Sequence, residues 1–187
     1  MRFPRFHARH KGFDHAIQQL RDGRVGESAY GRRIVLLLTI PTFDDPIARD
    51  VRRAATGELY VVRTVWQRAL DASSKEAARS FQGLIRPVSL GVDLPLQRPS
   101  LVSTRVDVDL EALDALLATT STTTVTCHVQ QPEAPLDATI FELTFGDELT
   151  ETRYRWAANP PPGWEPLAAF AARLVRLVDH PATVPGR

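Results

Sequence analysis

The chain has 187 residues, of which 43% are hydrophobic and 24% charged, proportions that exclude an intrinsically disordered protein and suit one domain whose core needs no disulfide or structural metal. Its one cysteine, Cys127, cannot form an internal disulfide, and no apolar run approaches the roughly 20 residues of a membrane helix. Because the arginine-rich start also lacks the apolar stretch of a signal peptide, we expect a cytoplasmic protein without membrane association.

Charge is unevenly distributed along the chain, although the net charge is only +1. Residues 1–33 contain eight Arg or Lys and three acidic residues, a net charge of +5. Residues 101–152 contain ten acidic residues and one Arg, a net charge of −9. An electrically polarised protein attracts partners of opposite charge, so this distribution favours a binding function.

The first elements predicted are a helix and a strand. Phe13, Ile17 and Leu20 have the spacing of one apolar helical face, and Gly23 suits the end of that helix. The segment 33–40 is apolar on both faces and short, which predicts a buried strand in the middle of a sheet.

A second helix is predicted after Pro46. Asp44 or Asp45 would supply the N-cap, Pro46 suits the first helical position, and Gly57 suits the end. This helix would place three residues on its apolar face: Ile47, Val51 and Ala54. Its other face would expose three arginines to solvent: Arg49, Arg52 and Arg53.

The middle of the chain alternates between strand and helix signals. The aromatic and β-branched residues of 59–67 predict a strand, and the Ser73/Glu76 capping box predicts a helix over 74–82. Three prolines make 87–99 an irregular connection. A strand over 101–108 and a helix capped by Asp109 then follow, the helix with three leucines on one face: Leu110, Leu113 and Leu117.

The remaining patterns complete an α+β fold. A Ser/Thr-rich segment, 119–124, precedes an alternating strand over 125–129, and Gly146 suits the turn of a hairpin formed by 140–145 and 149–156. The segment 165–178 predicts an amphipathic helix. We therefore expect one α+β domain over residues 1–187, with a mainly antiparallel sheet, several short helices and a C-terminal amphipathic helix, and with a basic arm over residues 1–12.

Catalytic, cofactor and metal motifs are not recognisable in this sequence. No G-x-S-x-G, S-x-x-K or H-E-x-x-H occurs, and Cys127 and His128 would point to opposite faces of a strand. His7, His10, Asp14 and His15 are metal-ligating residue types, but a solvated basic arm explains them better. Acidic pairs such as Asp107/Asp109 and Glu142/Glu151 are better explained as surface residues than as a general acid and base.

The most distinctive stretch is Tyr154-Arg155-Trp156 followed by P-P-P-G-W-E-P-L and a leucine-rich helix. Residues 137–178 resemble the ending of small uncharacterised bacterial proteins associated with polymorphic-toxin immunity. The resemblance supplies no catalytic residues that could be assigned to this sequence. It implies a protein that neutralises a toxin by binding it.

The leading hypothesis is a non-catalytic protein that binds a cognate toxin or another basic protein through an acidic surface, without cofactor or metal. The expected partner-binding residues surround the predicted hairpin: Glu142, Asp147, Glu148 and Glu151. One alternative is an enzyme whose active-site residues are dispersed in the sequence. The other, less favoured, is a nucleic-acid-associated protein that uses the arginines and phenylalanines of the basic N-terminal segment.

Overall fold

The computed structural model describes residues 11–23, 31–71, 98–125, 138–146 and 150–180. These contain the helices and strands α1 (Lys11–Asp22), β1 (Arg32–Ile40), β2 (Ile47–Arg53), β3 (Leu59–Trp66), β4 (Leu101–Val106), α2 (Leu110–Ala118), a 3-10 helix (Thr119–Thr122), β5 (Ile140–Phe145), β6 (Thr152–Ala157) and α3 (Glu165–Asp179). The predicted helix over 74–82, and most of the segments 87–99 and 125–129, lie outside the described residues.

The six strands form one antiparallel sheet in the order β4-β3-β2-β1-β5-β6. The strand β1 is interior, as its two apolar faces predict, because it is paired with β2 on one side and β5 on the other. The expected α+β class, with a mainly antiparallel sheet and a C-terminal helix, is confirmed.

The two faces of the sheet are covered by different helices. On one face, Leu37 and Leu143 belong to the same buried cluster as Leu113 of α2 and Leu174 of α3. On the other face, Leu38 lies in a cluster with Ile17 and Leu20 of α1. Side chains of successive strand residues therefore enter two separate apolar cores, as the two-residue period of a strand requires.

The predicted helix after Pro46 is wrong, because this segment forms the central strand β2. Both edges of β2 are hydrogen-bonded, to β1 and to β3, so its backbone groups are satisfied without a helix. Gly57 ends no helix; it has φ +89° in the turn that leads into β3. The four-residue spacing of Ile47 and Val51 is compatible with one face of a helix or of a strand, and tertiary pairing decided between them.

The prediction that Arg49 and Arg52 face solvent is also wrong. Both side chains are buried, Arg49 with 3% of its surface exposed, whereas Arg53 is exposed as expected. Arg49 points to the α3 face of the sheet, where Asp179 accepts its hydrogen bonds, and Arg52 points to the α1 face, where Asp50 does. The three buried charges of this strand, Arg49, Asp50 and Arg52, are tolerated because each one meets a counter-charge.

Two further predictions concern the helices. Asp109 caps α2, since its side chain accepts a hydrogen bond from the Ala112 amide. The predicted leucine face of α2 is partly wrong: Leu113 and Leu116 are buried, and Leu110 is 46% exposed.

The C-terminal features agree with their sequence patterns. β5 and β6 pair as the predicted hairpin. The predicted amphipathic helix is α3, whose entry is packed by Trp164 against Tyr154 at a ring distance of 5.4 Å. In the part of the chain that the structure describes, no helix has the length and apolar character needed to cross a membrane.

Candidate protein-binding surface

The expected partner-binding residues do not form one exposed surface. Glu142 is only 1% exposed, and both of its carboxylate oxygens accept hydrogen bonds from Arg21, at 2.7 and 2.8 Å. Glu151 is exposed and pairs with Arg153 at 2.6 Å. Asp147 and Glu148 lie outside the described residues. Glu142 is therefore a buried structural carboxylate, and its expected place on an acidic surface is wrong.

The ion pair between Arg21 and Glu142 joins the two oppositely charged segments of the chain. Arg21 belongs to the basic residues 1–33 and Glu142 to the acidic residues 101–152, and Arg153 lies a further 3.7 Å from Glu142. Part of the charge polarity seen in the sequence is consequently neutralised within the fold. Arg33 is also paired, with Asp50, so neither arginine offers a free charge to nucleic-acid phosphates.

A second ionic cluster lies on the same face of the sheet. Asp50 accepts hydrogen bonds from Arg33 at 3.0 and 3.1 Å and from Arg52 at 2.7 and 2.9 Å. Arg52 also donates to the carbonyl oxygens of Gly23 and Gly31, at 3.2 and 3.3 Å. This cluster fastens the chain on either side of residues 24–30 to the central strand.

A third cluster holds the end of α3 on the opposite face. Asp179 accepts hydrogen bonds from Arg49 Nε at 3.1 Å and Arg63 Nε at 3.2 Å. Burial raises the pKa of the Asp179 carboxyl, but the hydrogen bonds and charges of the two arginines outweigh it and hold the pKa below its ordinary value of 3.8. Asp179 is therefore ionised at neutral pH and suits an ion pair rather than a general acid.

The buried carboxylates thus have structural partners. Besides Asp50 and Glu142, the buried Asp71 accepts hydrogen bonds from the Trp66 indole at 2.6 Å and the Ser100 hydroxyl at 2.6 Å. Within the described ranges, no group of three or more His, Cys, Asp or Glu side chains is placed to hold a metal ion.

An exposed aromatic side chain distinguishes the connection between β1 and β2. This connection, residues 41–46, is called the β1–β2 tip. Phe43 at its centre is 81% exposed, and the neighbouring Asp44 is exposed as well. Leu70, which is 52% exposed, follows shortly after Arg68, the residue that binds the tip. The exposed ring of Phe43 beside the exposed carboxylate of Asp44 makes this end of the sheet a candidate contact surface.

Hydrogen bonds hold the β1–β2 tip in one conformation. The Arg68 guanidinium donates hydrogen bonds to the carbonyl oxygens of Thr42 at 3.1 Å and Asp44 at 3.0 Å. It therefore binds the backbone on both sides of Phe43. The Arg68 amide donates to the Asp45 carboxylate at 2.9 Å. The guanidinium also lies over the Trp66 ring, 5.9 Å from its centre. Phe43 is therefore presented by a fixed backbone.

Sequence reasoning missed this surface because it assigned Asp44, Asp45 and Pro46 to a helix N-terminus. The available signal was the short span between Pro41 and Pro46, directly after a buried strand, which is also typical of a turn. Arg68 gave no signal, since its contacts with the tip depend on β2 and β3 being paired.

Comparison of the chain with protein-family models, with curated proteins and with solved structures gives no match.

Proposed function

We propose that this chain is a non-catalytic protein-binding protein, an immunity protein that neutralises a cognate bacterial toxin by covering part of its surface. The observation that carries the proposal is the exposure of Phe43: its side chain is 81% exposed, and Arg68 donates hydrogen bonds to the backbone on both sides of it. The resemblance of residues 137–178 to proteins of toxin-immunity neighbourhoods is the reason for choosing a toxin as the partner.

An aromatic side chain held this way suits the centre of an interface. Burying it on binding removes apolar area from water, and aromatic anchors dominate the binding energy of many interfaces. Since Arg68 already fixes the backbone on both sides of Phe43, little conformational entropy is lost when the partner binds.

The partner is expected to offer an apolar pocket bordered by Lys or Arg. Asp44 is exposed directly beside Phe43, so its carboxylate would lie at the rim of the buried ring. A charge at an interface rim acts mainly on association rate and its salt dependence, whereas a central anchor acts mainly on dissociation rate. The two neighbouring residues therefore have separable kinetic roles.

The test uses the protein encoded by the reading frame adjacent to this gene, provided that it carries a toxin-like C-terminal domain. Phe43→Ala is expected to weaken binding of that domain by about 30-fold or more, mainly through faster dissociation, and to abolish protection of growing cells. Leu110→Ala is the matched control, because Leu110 is also an exposed apolar residue but follows β4 at the opposite end of the sheet. Its affinity should equal that of the wild type.

Asp44→Lys tests the charge of the partner. Association should slow, and its dependence on salt should weaken, with little change in the dissociation rate. Faster association of Asp44→Lys would mean an acidic partner and would contradict the proposal, as would an adjacent reading frame that encodes a metabolic enzyme.

The acidic residues predicted from the sequence around the hairpin are a competing candidate for the contact. Glu151 lies at the end of the sheet opposite the β1–β2 tip, because β6 begins where β5 ends. A variant with Asp147, Glu148 and Glu151 all changed to Lys should retain the affinity within a few fold. Loss of binding in this variant together with full binding by Phe43→Ala would place the contact at the hairpin and overturn the tip as the interface.

A further inference from the structure

A cavity of about 200 Å3 opens between the 3-10 helix, the β5–β6 hairpin and α3. It lies at the Phe145 end of β5, whereas the β1–β2 tip lies at the Ile140 end. Its walls are Thr120, Thr123, Val125, Phe145, Tyr154, Pro166, Leu167 and Phe170. The cavity is therefore independent of the proposed protein-binding surface.

The apolar wall of the cavity is already assembled. Phe145 packs against Phe170 with ring centres 5.5 Å apart and against Tyr154 at 6.3 Å. Both contacts have the edge-to-face geometry that aromatic pairs prefer. Because these rings support one another, the wall needs no rearrangement to receive a ligand.

The polar wall comes from the Ser/Thr-rich segment of the sequence. Thr120 donates its hydroxyl proton to the Leu117 carbonyl at 2.7 Å, and Thr123 donates to the Thr119 carbonyl at 2.8 Å. A hydroxyl whose proton is engaged in this way still has a lone pair to accept a hydrogen bond. These two residues can therefore offer acceptors to a bound molecule.

Charge and size restrict the ligand further. Among the residues that the structure describes, the cavity lining includes no Asp, Glu, Lys, Arg or His, so these walls offer no counter-charge to a buried ion. An apolar cavity of roughly 150 Å3 holds benzene, so this one has room for one or two fused rings. We propose that the cavity binds a small, neutral aromatic molecule that carries one N–H or O–H donor.

Indole and benzofuran test the proposal, because they have nearly the same shape and only indole carries an N–H donor. Titrations of the full chain are followed by NMR at the aromatic side chains of Phe145, Tyr154 and Phe170. We expect saturable shifts with both molecules and an affinity for indole about 3- to 10-fold higher than for benzofuran. Absence of saturable shifts at these three residues with either molecule would overturn the site.

Threonine variants test the acceptors. Thr120→Val with Thr123→Val keeps the shape of the wall and removes both oxygens, so the preference for indole should disappear while benzofuran still binds. Thr122→Val is the matched control, since Thr122 also donates to the Thr119 carbonyl but does not line the cavity. If the double variant still preferred indole over benzofuran, the proposed hydrogen bonds from the ligand to these two threonines would be wrong.

Phe43→Ala separates this site from the protein-binding surface. Indole binding should be unchanged in this variant, and failure of the toxin-binding experiments would leave the cavity proposal intact. Loss of indole binding in Phe43→Ala would mean that indole binds at the exposed tip, and would overturn the cavity as its site.

Discussion

Arg21 of α1 and Glu142 of β5, 121 positions apart in the chain, form a bidentate salt bridge that links the first helix to the sheet. Glu142 is buried, and its carboxylate is paired with Arg21 and with Arg153 at 3.7 Å. Breaking a buried ion pair by removing one member leaves an uncompensated charge away from water.

Arg21→Met should lower the free energy of unfolding by about 3 kcal/mol at pH 7, measured by urea denaturation, because Glu142 would lose its main partner. Replacing both partners, Arg21→Met with Glu142→Met, should recover most of the loss, since no unpaired charge then remains. Gln18→Ala is the control on the same helix, because the Gln18 side chain makes an exposed bond to Asp22. Equal stability of Arg21→Met and Gln18→Ala would contradict a structural role for the pair.

Asp179 predicts a pH-dependent contribution to stability. Its pKa is lowered in the folded protein, so its contribution is complete above the unfolded value near 3.8 and is lost as the pH falls through the folded value. Asp179→Asn should therefore be less stable than the wild type at pH 7, by about 3 kcal/mol because Arg49 is left buried. The difference between the two proteins should begin to shrink below pH 3.8 and should disappear as the pH falls through the lowered pKa of Asp179.

Glu58→Gln provides the comparison for Asp179, because Glu58 pairs with Arg105 where both side chains are more than half exposed. Its difference from the wild type should be small at every pH. If the free energies of unfolding of Asp179→Asn and the wild type differed by the same amount at pH 3 and pH 7, the pH dependence of stability would not come from the Asp179 carboxyl.

Gly31→Ala and Gly57→Ala separate backbone strain from a steric clash. Both glycines have positive φ, +133° and +89°, which costs a residue with a side chain about 1–3 kcal/mol. A Cβ at Gly57 would meet open space, whereas one at Gly31 would lie 2.8 Å from the Arg53 carbonyl oxygen and 2.6 Å from the Tyr60 hydroxyl. In thermal unfolding, Gly31→Ala should lower the melting temperature clearly more than Gly57→Ala does. Equal losses would mean that the chain relaxes around the Gly31 contact.

Arg68→Ala should loosen the β1–β2 tip without unfolding the sheet. The carbonyl oxygens of Thr42 and Asp44 would lose their donor, so NMR order parameters at Phe43 should fall. Arg53→Ala is the control, since Arg53 makes the corresponding kind of side-chain bond to the Gly57 carbonyl in the next turn. Unchanged order at Phe43 in Arg68→Ala would show that the tip is fixed by other contacts.

Much of the fold was predictable from patterns within single elements. The apolar run of β1, the hairpin around Gly146 and the apolar face of α3 each lie within one continuous segment, and each was identified correctly. These patterns depend on spacing and turn chemistry, which are present in the sequence before any tertiary contact forms.

The failures occurred where distant partners decide the outcome. β2 carries Arg49, Asp50 and Arg52, which look solvent-exposed until their counter-charges on α3 and β1 are known. Glu142 looked available for a partner for the same reason. The sequence did not identify Phe43 as a candidate contact residue, because the backbone around it is held by Arg68, which lies 25 residues later in the sequence.

The charges on β2 also have a consequence for strand alignment. A slip of one residue against β1 or β3 would turn Asp50 toward Asp179 and Arg49 toward Arg33, so like charges would meet on both faces of the sheet. An all-apolar strand would carry no such penalty for misalignment. The ion pairs of β2 thus discriminate the native register from its nearest competitors while the sheet assembles.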